Sequence, residues 1–154
     1  MPTKILMVCL GNICRSPVAE GVMQSKIEKY KLDAIVDSAG TSGYHIGEQP
    51  DERSIANARK HSLDISNLKA RKFTDEDFKK FDLIYVMDAN NYNDVLKLAS
   101  SEHDKSKVDL LLNISMPQKN HAVPDPYYGN EDGFEKVFQL VDEACELLAR
   151  KLFK

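Results

Sequence analysis

Three observations predict an α/β fold, a single domain over residues 1–154 with a four-stranded parallel sheet and helices on both faces. Strand-like and helical segments alternate along the chain, which implies parallel strands joined by right-handed crossovers. Residues 82–87, D-L-I-Y-V-M, are a nearly continuous apolar run, the pattern of a strand covered on both sides. From Phe134 to Leu152 apolar residues recur at i, i+3, i+4 and i+7, so the last helix lays one face on the sheet.

Taken in order, Lys4 to Leu10 is the first strand, built on Ile5-Leu6-Met7-Val8. Ser16 as N-cap and Pro17 as first residue start a helix to about Lys31, with Val18, Val22, Ile27 and Tyr30 on one face. Ile35 to Ser38 is the second strand, closed by Gly40. Asp51 caps a helix to about His61, and Thr74 with Asp77 resembles a capping box for a short helix ending near Phe81. Asp82 to Met87 is the third strand, after which Asp88 caps a helix to about Ser100. A charged connection, Ser101 to Lys107, leads to the fourth strand, Val108 to Leu112. A long loop with Pro117, Pro124 and Pro126 then reaches the last helix, from about Gly133 to Phe153.

The totals narrow the function classes. Hydrophobic content of 42% and charged content of 29% suit a soluble globular protein. With 21 basic and 24 acidic residues the net charge is −3, which gives no reason to expect nucleic acid or an anionic membrane as partner. The first residues are interrupted too soon for a signal peptide, and no stretch approaches transmembrane length. Three cysteines, an odd number, argue for a reducing cytoplasmic setting over a disulfide framework. No C-x-x-C pair or His cluster suggests a metal site.

The chemistry gathers where the first strand ends. Cys9 opens the loop Leu10, Gly11, Asn12, Ile13, Cys14, Arg15, Ser16, and a helix N-terminus follows with its unpaired N–H groups. Five residues separate Cys9 from Arg15, enough to wrap a tetrahedral oxyanion and bring a planar guanidinium to it. A thiolate nucleophile is favoured beside such a cation and helix end. Gly11 lets backbone N–H groups approach an anion, and Asn12 tolerates the left-handed backbone that a nest of inward N–H groups requires. Ser16 can donate its hydroxyl to the Cys9 sulfur. A core cysteine needs none of these companions, so this is a phosphate-binding loop after strand one. Cys9 and Asp88 both lie at carboxyl ends of strands, where open α/β sheets bind ligands.

The segment C-L-G-N-I-C-R-S-P resembles the signature of the low-molecular-weight protein tyrosine phosphatases. Further matches follow in order: D-S-A-G-T-S from Asp37, P-D-x-R from Pro50, T-D-E-D-F from Thr74, V-M-D from Val86 and D-P-Y-Y-G from Asp125. The resemblance implies hydrolysis of phosphotyrosine on protein substrates, and of other aryl phosphates, through a phosphocysteine without metal or organic cofactor; the chain is expected to act as a monomer. It assigns Cys9 as nucleophile, Arg15 as phosphate clamp and Asp125 as the general acid that expels the alcohol. It places Tyr44, Tyr127 and Tyr128 along an aromatic cleft, with His45 beside them. Ser38 matches the family's serine that supports the loop asparagine, here Asn12. Asn67 falls where the family often has a supporting histidine. Cys14 is also a family feature, and a second thiol near a reactive one can resolve a sulfenic acid as a disulfide. Cys145 is most simply core.

Two other readings share parts of this pattern. Some arsenate reductases have this fold and loop but relay a disulfide through further cysteines, and none lies between Cys14 and Cys145. A phosphocysteine carrier or phosphopeptide-binding module has no need of an acid such as Asp125.

Overall fold

The computed structural model describes residues 1–153. Its four strands, β1 (Thr3–Cys9), β2 (Ala34–Gly40), β3 (Leu83–Val86) and β4 (Val108–Leu110), pair in parallel in the order β2-β1-β3-β4. Six α-helices accompany them: α1 (Arg15–Tyr30), α2 (Glu52–Lys60), α3 (Asp77–Lys80), α4 (Ala89–Leu96), α5 (Glu102–Ser106) and α6 (Glu131–Leu152). Among the described residues no helix is long and apolar enough to cross a membrane.

The strand period of two sorts β1 between two cores. Ile5, Met7 and Cys9 join Val18 and Val22 of α1, Ile55 of α2 and Val141 and Leu148 of α6 on one face. Leu6 and Val8 join Phe73, Phe78, Phe81 and Val95 on the other. The central strand is therefore apolar throughout, and its residues 5–8 are fully buried. From β1 the chain passes to β2 on one side, while β3 and β4 add on the other. The crevice between the carboxyl ends of β1 and β3 is the switch point at which open α/β sheets bind ligands. Cys9 ends β1 there, and Asp88 follows β3.

Several boundaries differ from the sequence expectation for local reasons. The first helix begins at Arg15, so Ser16 and Pro17 lie inside its first turn, and Cys14 at the cap position makes no side-chain cap. Proline is tolerated there because first-turn N–H groups lack helical partners. The Ser16 hydroxyl is drawn away to the Cys9 sulfur instead. Helix α4 stops at Leu96 because the following turn tightens, with Leu98 N–H bonding Val95 O and Ala99 N–H bonding Leu96 O. The connection read as irregular contains α5, capped by Ser101 through Asp104 N–H. Strand β4 is shorter than expected, since Leu111–Asn113 turn into a 3₁₀ helix whose Asn113 amide bonds Asp109 Oδ1 at 2.8 Å. The last helix starts at Glu131, where Asn130 accepts from the N–H groups of Asp132 and Gly133. The caps at Asp51 and Asp88 form as expected, on Arg53 N–H and Asn91 N–H.

Candidate active site

The loop after β1 closes over its own first residue. Asn12 takes φ 58°, the left-handed backbone, and its N–H points at Cys9 Sγ at 3.3 Å. Gly40, at the end of β2, packs against this turn: a Cβ there would lie 2.7 Å from Leu10 O. Only glycine permits that approach.

Side chains then lock the turn from below. Asn12 Nδ2 donates to Ser16 Oγ at 2.7 Å and to Ser38 Oγ at 2.9 Å, while its Oδ1 accepts from Arg71 N–H at 3.0 Å. Ser16 Oγ lies 3.1 Å from Cys9 Sγ. Ser38 Oγ donates onward to Glu20 Oε1 at 2.5 Å. Burial raises the Glu20 carboxyl to about 7, with the Ser38 hydrogen bond opposing that rise. Asn67 is exposed, and among the described residues Ser38 has Glu20, not Asn67, as its outer partner. Glu20 is the member that motif reading missed. The available signal was its position four residues after Ser16 on one helix, which puts both on the same face.

Arg15 is 2% exposed. Its Nη1 donates to Asp88 Oδ2 at 2.7 Å and to Val123 O at 3.0 Å, and Nη2 lies 3.6 Å from Asp125 Oδ2. A buried cation demands such compensation. Asp88 does two jobs at once, since its Oδ1 caps α4 on Asn91 N–H. Asp125 thus comes to the loop from far along the chain. Its Oδ1 accepts from Tyr127 N–H at 3.0 Å, a turn that fixes the carboxylate.

Above them opens a cleft of about 300 Å³. Cys9, 2% exposed, lies at its base with Arg15. Leu10, Gly11, Ile13 and Cys14 also border it, together with Ser42, which the sequence reading did not single out. Tyr44, His45, Tyr127 and Tyr128 form its walls. Tyr44 and Tyr128 stand almost wholly exposed at the rim, and the Tyr127 and Tyr128 rings meet edge to face at 5.0 Å. His45 Nδ1 is 3.1 Å from Glu48 Oε2, and a Cβ on Gly11 would crowd the His45 ring at 3.1 Å. Cys14 is buried, and that burial, reinforced by the charges of Asp51, Cys9 and Asp125, pushes its thiol up to about 12. Cys9, Cys14 and Cys145 are all free thiols.

This geometry can hold a tetrahedral oxyanion over a sulfur, with a cation beneath and a carboxylate at the opening. Known proteins resemble the chain that carries it. Residues 4–154 match the family model described as low molecular weight phosphotyrosine protein phosphatase. The human protein of that name is 41% identical over 150 residues, covering 96% of this chain and 94% of its own. The Schizosaccharomyces pombe protein of that name is 41% identical over 143 residues, 90% of each chain. A crystal structure of a protein tyrosine phosphatase from Entamoeba histolytica, with Hepes in its active site, superposes with a TM-score of 0.90 at 41% identity, covering 97% of this chain and 96% of that one. With a family match over nearly its whole length and relatives 41% identical over most of each chain, the chain belongs to the low molecular weight phosphotyrosine protein phosphatases.

Proposed function

We propose that this phosphatase works by two-step covalent catalysis with Cys9 as nucleophile, Arg15 as clamp and Asp125 as general acid. The observation that carries the reading is the convergence of the three: a sulfur at the base of the cleft, the Arg15 guanidinium beneath the loop, and Asp125 3.6 Å from that guanidinium. Cys9 Sγ attacks phosphorus in line, forming an S–P bond as the P–O bond to the alcohol breaks. Asp125 gives its proton to the departing oxygen. Arg15 and the loop N–H groups hold the three equatorial oxygens while charge redistributes. Water then attacks the phosphocysteine, Asp125 accepts its proton, and the thiolate leaves under the Ser16 hydroxyl. The step needs no metal or organic cofactor.

The substrate class follows from depth. Cys9 is sunk below a rim carrying Tyr44 and Tyr128, so a phosphoryl group must arrive on a long, flat stem. Phosphotyrosine on a protein meets that requirement and can stack on the aromatic walls. Three unpaired cysteines support a reducing, cytoplasmic setting.

The decisive test is Asp125→Ala with leaving groups of graded basicity. Phenol release in the first turnover should fall about 10²-fold or more for phosphotyrosine, and less for p-nitrophenyl phosphate, whose leaving group needs less protonation. The alkaline limb of the pH profile should vanish. Equal losses for good and poor leaving groups, with that limb intact, would move the acid elsewhere, Asp88 being next in line.

A further inference from the structure

We propose that Arg53 is a positioning residue for the acid, acting through the peptide of Tyr127; this rests on the reading of Asp125 as proton donor. Arg53 Nη2 donates to Tyr127 O at 2.9 Å, and Nη1 lies 3.5 Å from Gly129 O. The other end of the same residue, Tyr127 N–H, donates to Asp125 Oδ1 at 3.0 Å. One residue is thus held by Arg53 at its carbonyl while it holds the acid at its amide. The guanidinium also lies over the Phe134 ring at 4.7 Å and the Tyr127 ring at 5.6 Å, within cation–π reach of both.

Arg53 is itself anchored to the nucleophile's side of the cleft. Asp51 binds it in a fork, Nε to Oδ1 at 3.0 Å and Nη2 to Oδ2 at 2.9 Å. Asp51 N–H in turn donates to Ile13 O of the phosphate loop at 2.7 Å, and Ser54 Oγ reaches Cys14 O at 3.4 Å. A continuous set of contacts therefore runs Ile13, Asp51, Arg53, Tyr127, Asp125. The loop with the thiol and the loop with the acid are set in register by the start of α2. The acid loop carries no strand or helix of its own from Val123 to Asn130, so an outside clamp is what fixes it. Lysine cannot replace this clamp, because a point charge cannot serve the Asp51 fork, two carbonyls and two ring faces together.

The test is a double-mutant cycle read by pre-steady-state phenol release from phenyl phosphate and p-nitrophenyl phosphate. Arg53→Ala should slow release from phenyl phosphate about tenfold or more, the scale on which a misplaced group acts, and slow p-nitrophenyl phosphate less. Inhibition by inorganic phosphate should stay near wild type, because Arg53 does not touch the cradle. Arg53→Lys, which keeps the charge and the fold, should fall between wild type and Arg53→Ala, and added guanidinium should partly restore Arg53→Ala. In an Asp125→Asn background Arg53→Ala should cost little more. Additive losses, or an Arg53 effect equal for both leaving groups, would overturn the positioning role while leaving Asp125 as the acid. If Asp125→Asn alone shows no leaving-group dependence, the acid assignment itself falls, and this inference with it.

Discussion

Ser16 Oγ stands 3.1 Å from Cys9 Sγ while it accepts from Asn12 Nδ2 at 2.7 Å. With a lone pair engaged by the amide, the hydroxyl proton can turn toward the sulfur, Ala39 O at 3.4 Å being its more distant alternative acceptor. That hydrogen bond matters most when sulfur carries full negative charge, as it would when the thiolate departs in the proposed second step. Ser16→Ala should therefore slow dephosphorylation by about tenfold to a hundredfold, more than it slows phenol release. The check is a burst: wild type and variant are mixed with p-nitrophenyl phosphate, and a stoichiometric burst should appear or grow in the variant. A variant with equal slowing of both steps and no burst would assign Ser16 to loop shape alone.

Asp88 is the main counter-charge for a cation that is 2% exposed. Removing one partner of such a buried pair typically costs about 3–5 kcal/mol. Here Val123 O and Asp125 still face the guanidinium, so Asp88→Ala should cost about 2–3 kcal/mol, including the lost cap on α4. Asp88→Asn, which can still accept from Asn91 N–H, should lose less. Urea unfolding of wild type and the two variants separates these parts: Asp88→Asn as stable as wild type would mean that the charge pairing contributes nothing, and equal stabilities of the two variants would mean that the cap contributes nothing.

How far the sequence could be read follows from where each signal resides. The order of the four strands and of every helix but α5, the loop from Cys9 to Ser16 and the caps at Asp51 and Asp88 are local patterns, and these survive into the structure. Boundary residues were less legible. Ser16 carries a capping side chain, but the sulfur beside it competes for the hydroxyl, and no local rule weighs that competition. Leu111 and Leu112 look like strand because they are apolar, yet burial against α6 is served equally by a 3₁₀ turn. The outer partner of Ser38 was invisible for another reason. Glu20 reaches it across the gap between α1 and β2, and an acidic residue in an amphipathic helix reads as solvent-facing. The Arg53 contacts to Tyr127 and Gly129 span loops distant in sequence, so only the folded chain reveals them.

Glu20 gives the stability a pH dependence of definite sign. Its carboxyl ordinarily titrates near 4.5 and is raised by burial to about 7. Between those values the folded protein holds a proton that the unfolded chain has released. This contribution is therefore fully present below about 4.5, is lost as pH rises to about 7, and is constant above. Glu20→Gln keeps an acceptor for Ser38 and needs no proton, so it should abolish that decline. At pH 8 the variant should be more stable than wild type by at most about 3 kcal/mol, the shift from 4.5 to about 7 at about 1.4 kcal/mol per pKa unit. Denaturant unfolding at pH 5 and pH 8 is the measurement. Parallel pH slopes for the two proteins would show that Glu20 is ionised throughout.

A resolving role for Cys14 predicts a pH dependence of redox protection. If Cys9 is the reactive thiol proposed above, peroxide should convert it to a sulfenic acid, and the Cys14 thiolate would displace its hydroxyl, released as water, forming an S–S bond. The attacking species is the Cys14 thiolate. Burial, with the negative charges of Asp51, Cys9 and Asp125, pushes that thiol up to about 12. At neutral pH very little of it is thiolate. Resolution should accordingly accelerate about tenfold per pH unit between pH 6 and 9, following the thiolate fraction. Mild peroxide should leave wild type with a mass loss of two hydrogens and activity recoverable by thiol. Cys14→Ser, lacking the resolving sulfur, should proceed to sulfinic acid and stay inactive. Intact mass and thiol counts across that pH range decide the matter. A disulfide that forms at a pH-independent rate would show that the access of Cys14 to Cys9, not its ionisation, is the limiting step, and wild type lost as irreversibly as Cys14→Ser would remove Cys14 from the redox chemistry.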